Sequence, residues 1–295
     1  MTPSTPPGTV FAPAAAESSL DTETSGDTGF GQDIADFPDT SASTQIIGQV
    51  FADKYEVLEK LGEGGVGTVY KARHVHLDKF VALKVLRAER ASSDAVRRFQ
   101  HEAKVVSSLL HPNIVNVQDF GITQSGKPYM VMDLLEGVPL STLQKSGKLS
   151  VQRLARIFRQ VCDALAYAHD KSIVHRDIKP GNILIFTDED GLDHVTVVDF
   201  GLAKILSSTE QEGGQLTRTG DVFGTPSYMS PEQCLGRLVD SRADIYSLGC
   251  VMYEAYAGEL PFRSESVFEL VAKQISETPP KSITARLYLT DSSLK

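Results

Sequence analysis

Apolar positions along the chain change period near its middle. Residues 55–61 (Tyr-Glu-Val-Leu-Glu-Lys-Leu) alternate loosely and run into a glycine cluster, and Thr68–Ala72 and Phe80–Leu86 read as strands. The region therefore opens with β-hairpins. Residues 93–110 shift to helical spacing: Val96, Phe99, Ala103 and Val106 form one stripe, with Ser92 or Ser93 placed to cap it. Ile114–Phe120 and Tyr129–Leu134 return to strand. From Ser150 the helical period takes over. Leu154, Ile157, Phe158, Val161, Leu165 and Ala168 describe a long amphipathic helix. Residues 244–257 are apolar nearly all round, as in a helix buried at the centre of a domain, and Gly258 and Pro261 end it. One more helix is readable over Glu265–Ile275. The pattern predicts an α+β fold in two lobes. A small β-rich lobe with one helix covers residues 49–134, and a larger, mainly helical lobe covers 135–280, with a linker near Leu134–Val138.

The ends of the chain lack this patterning. Residues 1–48 are rich in Pro, Ala, Ser, Thr, Gly and Asp, and such a segment buries too little to offset its ordering entropy, so a disordered tail is expected. Thr44 with Ile47 after it resembles motifs read by phosphothreonine-binding forkhead-associated domains. Residues 281–295 are polar and weakly patterned, a tail of unclear structure. Charge sharpens the division. The net charge is −9, and the tail holds Glu17, Asp21, Glu23, Asp27, Asp33, Asp36 and Asp39 with no Lys or Arg, which leaves −2 for everything else. A nearly neutral folded part argues against a nucleic-acid binder, which needs a basic stripe. No apolar stretch is long enough to span a membrane and no signal-peptide pattern opens the chain. Cys162, Cys234 and Cys250 are too few for a disulfide framework, so a reducing cytoplasm is the expected setting.

Candidate chemistry gathers at four places. Gly62-Glu-Gly64-Gly-Val-Gly67 is a G-x-G-x-x-G string, but Thr68, Val69 and Tyr70 continue it as strand, where a dinucleotide-binding loop would open a helix. A Walker A loop would need Lys at Thr68. What remains is a glycine hairpin that lets backbone N–H groups approach phosphate oxygens. Val81-Ala82-Leu83-Lys84 puts an ammonium in an apolar strand, costly without an anionic partner. Phosphate is one such partner, and Glu102, on the apolar stripe of the following helix, is another. Val174–Asn182 reads Val-His-Arg-Asp-Ile-Lys-Pro-Gly-Asn. Asp177 is placed to orient a hydroxyl or take its proton, Lys179 to neutralise a transferring phosphoryl, and Asn182 to offer a hard oxygen to Mg²⁺. Asp199, at the end of the strand Val195–Val198, is the main metal-ligand candidate. His175 reads as a core histidine.

These segments, in this order, resemble the protein kinase superfamily from about Tyr55 to Pro280, most closely the bacterial Hanks-type serine/threonine kinases. The resemblance implies a bilobal kinase-like fold, ATP and Mg²⁺ as cofactors, and proteins as substrates. It places Met132 as gatekeeper, Asp133-Leu134-Leu135 as the hinge beside adenine, and Leu61, Val69, Ala82 and Leu184 around the base. Ser230-Pro231-Glu232 is similar to the family's Ala-Pro-Glu motif, and Asp244 to the residue bracing the catalytic loop. Lys179 and Gly224-Thr225 resemble serine/threonine rather than tyrosine kinases, with Thr225 matching a residue that contacts the base and the substrate hydroxyl.

Residues 202–229 match the activation segment, mobile over Ser207–Gln215. Thr217 and Thr219 resemble paired autophosphorylation sites, modified in trans between two copies, with Arg176 as phosphothreonine receptor. The family continues for roughly two more helices beyond Pro280, one carrying an Arg that pairs with the Glu matching Glu232; Arg286 is the nearest stand-in. A catalytically impaired pseudokinase scaffold is therefore the alternative reading, with a small-molecule kinase of the same fold third.

Overall fold

The computed structural model of the chain describes residues 46–64, 67–86, 93–123, 126–147, 149–200 and 226–280. The first lobe is an antiparallel sheet of β1 (Val50–Phe51), β2 (Tyr55–Gly64), β3 (Gly67–His74), β4 (Lys79–Leu86), β5 (Val117–Ile122) and β6 (Pro128–Asp133), in the order β1-β2-β3-β4-β6-β5. Period-two alternation divides its side chains between two faces. From β4, Val81 and Leu83 join Tyr55, Val57, Tyr70, Ala72, Tyr129 and Val131 on one face. Ala82, from the same strand, joins a separate apolar cluster on the other. The outer face is closed by residues that precede β2. Ile46, Phe51 and Ala52 pack on it, and the N–H of Gly48 bonds the carbonyl of Val57 at 2.8 Å.

Helix α1 (Ser93–Val106) inserts Phe99 and Ala103 into the main core. It stops short of the expected residue 110 because Ser107 and Ser108 turn their hydroxyls back onto the carbonyls of Lys104 and Val105, competing with a further helical turn. Strand β5 starts at Val117 rather than Ile114. Ile114 makes only an isolated parallel bridge to Val197, which stitches the first lobe to the second.

The second lobe contains α2 (Leu140–Ser146), α3 (Val151–Asp170), a three-stranded sheet of β7 (Val138–Pro139), β8 (Ile183–Thr187) and β9 (Asp193–Val197), then α4 (Pro231–Cys234), α5 (Arg242–Ala257) and α6 (Val267–Ser276). Ser150 caps α3 through Arg153 N–H at 3.2 Å, and its predicted stripe, with Ala164 added, is buried. Gly258 ends α5 in the left-handed region, φ 80°, where its N–H reaches Glu254 O. Among the described residues α5 is buried on most sides but leaves Ile245 58% exposed. The short elements β1, β7, α2 and α4 were not legible as periodic runs. The expected tail, apart from residues 46–48, lies outside the described residues, as do most of the 202–229 segment and residues 281–295 with Arg286.

Candidate active site

Apolar side chains of the two lobes meet along one seam, called the slot. Leu61 from β2, Val69 from β3, Ala82 from β4, Met132 from β6 and Leu184 from β8 form one buried cluster with Val115 and Val198, and Leu134 and Leu135 pack against it. The structure thus brings together the apolar residues expected around a base, and adds Val115 and Val198. Asp133 turns its carboxylate outward to Lys79, 3.3 Å away, and to the Gln118 amide. Gly62 pairs with Val69 and Gly64 with Gly67 across the hairpin above the slot. Gly67 is there for space. A Cβ on it would lie 2.3 Å from the Val85 carbonyl oxygen.

Charged groups collect at one end of the slot. Lys84, 8% exposed, projects from β4, and its Nζ lies 2.6 Å from Asp199 Oδ1. Burial alone would raise the Asp199 carboxyl, but the adjacent Lys84 ammonium, helped by Lys179, holds it below the ordinary carboxylate value. Asp199 sits at φ 64°, an unusual backbone state for a non-glycine residue. Glu102 is half-buried on α1, three residues along from Phe99.

The loop after α3 supplies the rest. Lys179 Nζ lies 3.0 Å from Asp177 Oδ2, and Asn182 Nδ2 donates to the Asp177 carbonyl at 2.8 Å and to its carboxylate at 3.2 Å. The loop and the segment leading to Asp199 are tied together, since Val198 N–H bonds Asn182 O at 3.0 Å. His175 locks the same junction. Asp177 N–H donates to its Nδ1 at 3.2 Å, so Nε2 carries the proton toward the Val198 carbonyl at 3.0 Å. Burial pushes its pKa down against the pull of Asp244 and Asp177, keeping the ring neutral, and the Phe200 ring lies 4.4 Å from it, tilted by 43°. That is the environment of a core histidine.

Beneath the loop, the buried Asp244 carboxylate accepts the N–H groups of His175 and Arg176 and a bond from His169 Nε2, each at 2.8 Å. Burial opposes its charge, and these bonds outweigh it, leaving its pKa depressed. Arg176 stands at φ 66° and its carbonyl accepts from Gln233 Nε2 at 2.8 Å. Gln233 belongs to a capping box with Ser230, which explains why Ser230-Pro231-Glu232 ends in a short helix against the loop. Among the described residues Glu232 has no ion-pair partner. His169 and Gln233 were missed from sequence, because neither carries a local signal. Thr217, Thr219 and Thr225 lie outside the described residues.

A β-rich lobe over a helical lobe, with Lys84 against Asp199 at the seam and Asp177 held by Lys179 and Asn182 in the adjoining loop, defines a bilobal kinase-like fold. The chain belongs to the protein kinase domain family, whose model it matches over residues 55–292. It is 44% identical over 245 residues to serine/threonine-protein kinase pkn3 of Myxococcus xanthus, covering 82% of this chain and 44% of that protein. The chain therefore spans less than half the length of this curated relative. The crystal structure of the Mycobacterium tuberculosis PknI kinase domain matches with a TM-score of 0.60 and 30% identity, covering 82% of this chain and 84% of that one. Rad53 residues 1–466 in complex with AMP-PNP matches with a TM-score of 0.64 and 27% identity, covering 82% and 58%.

Proposed function

We propose that the chain transfers the γ-phosphoryl group of ATP to Ser or Thr hydroxyls of proteins, with Mg²⁺. The supporting observation is the approach of Lys84 to Asp199 beside a loop that holds Asp177, Lys179 and Asn182 together. Adenine occupies the slot of Leu61, Val69, Ala82, Met132, Leu135 and Leu184, with Asp133 contributing backbone because its carboxylate is engaged elsewhere. Gly62, Gly64 and Gly67 bring the hairpin close to the phosphates. Lys84 moves from Asp199 to phosphate oxygens, steadied by Glu102. The substrate hydroxyl oxygen bonds to the γ-phosphorus, the bridging bond to the β-phosphate breaks, ADP leaves, and the hydroxyl proton passes to Asp177. Lys179 neutralises charge on the moving group.

The donors suit a hard cation. Asp199 stays ionised although buried, and Asn182 directs its amide nitrogen to Asp177, leaving its oxygen for a metal. Bound Mg²⁺ supplies charge neutralisation at the phosphates. The relative solved with AMP-PNP supports the nucleotide reading. Phosphorylation of Thr217 and Thr219 between two copies, received by Arg176, is the proposed switch, with Thr225 beside the catalytic base. The three cysteines are free thiols, in keeping with a cytoplasmic setting, and among the described residues no helix is long and apolar enough to cross a membrane.

The test is incubation of the chain and an Asp177→Asn control with labelled ATP, Mg²⁺ and a generic protein. Label with the parent alone is expected. Nucleotide binding by thermal shift without label in either would overturn the transferase reading in favour of a scaffold.

A further inference from the structure

The turn Pro226–Tyr228 stands at the edge of the catalytic site. It directly follows Thr225, which the phosphotransfer reading sets beside the catalytic base. Tyr228 and Met229 line one small hollow with Arg176, Asp177 and Ile178. A hydroxyl brought to Asp177 on a protein chain therefore passes this turn. The turn is a single 3₁₀ turn, with Met229 N–H bonded to the Pro226 carbonyl at 3.2 Å. Three residues complete too little of a helix to keep one shape unaided.

Its carbonyls are held by two helices. Ser247 Oγ, on α5, donates to the Tyr228 carbonyl at 2.7 Å. Gln274 Nε2, on α6, donates to the Ser227 carbonyl at 2.8 Å and to that of Pro226 at 3.3 Å. Carbonyls only accept, so the amide nitrogen must face the turn, and the amide oxygen is left to accept from the Tyr246 hydroxyl of α5. Leu270 and Gln274, one helical turn apart, are the buried residues of α6, and Gln274 is 2% exposed. Packing alone would be served there by a second Leu. An amide in so dry a place is costly unless its groups are bonded, and here they are taken by the turn and by α5.

We infer that Gln274 is a positioning residue for protein substrates, its amide fixing from α6 the turn that stands beside Asp177. It acts through the turn carbonyls and touches neither nucleotide nor metal. This rests on the phosphotransfer reading, and the test separates the two. Gln274→Glu keeps an acceptor for Tyr246 but sets a carboxylate oxygen against two carbonyls, so the turn must move. Tyr246→Phe makes the opposite cut, removing the bond to α5 and leaving both donors on the turn. A role confined to packing would respond alike to both.

With the full chain, hydrogen exchange of the backbone amides of residues 227–230 is followed by mass spectrometry. Binding of a fluorescein-labelled, alanine-rich peptide with one Thr is read by anisotropy, binding of AMP-PNP by calorimetry, and phosphate transfer to the peptide separately. Gln274→Glu, with Gln274→Met as the second variant, should speed exchange across the turn. It should weaken the peptide about tenfold, the size of one lost buried hydrogen bond, at parent-like affinity for AMP-PNP. In turnover the loss should fall on KM for the peptide, with KM for ATP unchanged. Tyr246→Phe should lower the urea midpoint and leave peptide affinity at the parent's value. Unaltered exchange or peptide affinity in the Gln274 variants, unfolding of both, an equal loss in Tyr246→Phe, or no peptide binding by the parent would each overturn the role. Weakened peptide binding in the variants, with no phosphate transferred by the parent, would keep the role and sink the transferase reading. Transfer with unaltered peptide affinity would do the reverse.

Discussion

Replacing Asp244 probes how the catalytic loop is held in place. The carboxylate is fully buried and receives two backbone N–H groups from His175 and Arg176 as well as His169 Nε2, all at 2.8 Å. Asp244→Ala leaves both backbone donors in a dry pocket, at about 1–3 kcal/mol each. It also removes the contact that steadies Arg176 at φ 66°, a conformation costing on the order of 1–3 kcal/mol to maintain. The loop can relax and recover part of this, so the net loss should be about 3–5 kcal/mol, the usual size for breaking a buried charged network. For a domain of this length, that lowers Tm by roughly 6–20 °C. Asp244→Asn retains one acceptor but turns an N–H₂ toward a donor, and should lose about half as much. Urea unfolding followed by circular dichroism reads the midpoint, with an unchanged slope showing that stability alone has moved. Phosphate transfer by the same variants should fall with loop order. An Asp244→Ala midpoint equal to the parent's would refute the argument, since the loop would then be held by something other than α5.

The pH dependence follows from the same group. Asp244 and Asp193 have depressed pKa values. Burial opposes both charges, but His169 and the two N–H groups prevail at Asp244, and Arg153 with Thr187 prevails at Asp193. A folded value below the unfolded one makes their stabilisation complete at neutral pH and lost as pH falls below about 4. Urea midpoints should decline there, and Arg153→Met should lessen the decline; a midpoint rising on acidification would contradict this. Phe99→Ala empties a site with 0% exposure beside Phe120 and should cost about 3–5 kcal/mol by denaturant titration. Gly67→Ala forces a methyl against the Val85 carbonyl oxygen, so about 1–3 kcal/mol of strain and weaker AMP-PNP binding are expected by calorimetry. Parent-like affinity and Tm would show that the hairpin yields freely.

Spacing along the chain was enough to announce the long elements and most of the slot. A stripe such as Leu154, Ile157, Phe158 and Val161 reports its own buried face, because helical geometry repeats every 3.6 residues whatever lies opposite. The alternation of Val81, Ala82, Leu83 and Lys84 likewise assigns neighbours to opposite faces before any partner strand is known. Contacts that depend on three-dimensional approach left no such trace. Nothing local to His169 or Gln233 marks them as clasps of the catalytic loop, since Asp244 and Arg176 lie far away in sequence and close only after folding. Short elements were hidden for a related reason. With two to seven residues, β1, β7, α4 and α2 complete too little of a period to register, and they form because neighbours supply their pairing. Residue types and their order thus carry the chemistry, while the carboxylate set against Lys84 and the tautomer of His175 arise through space.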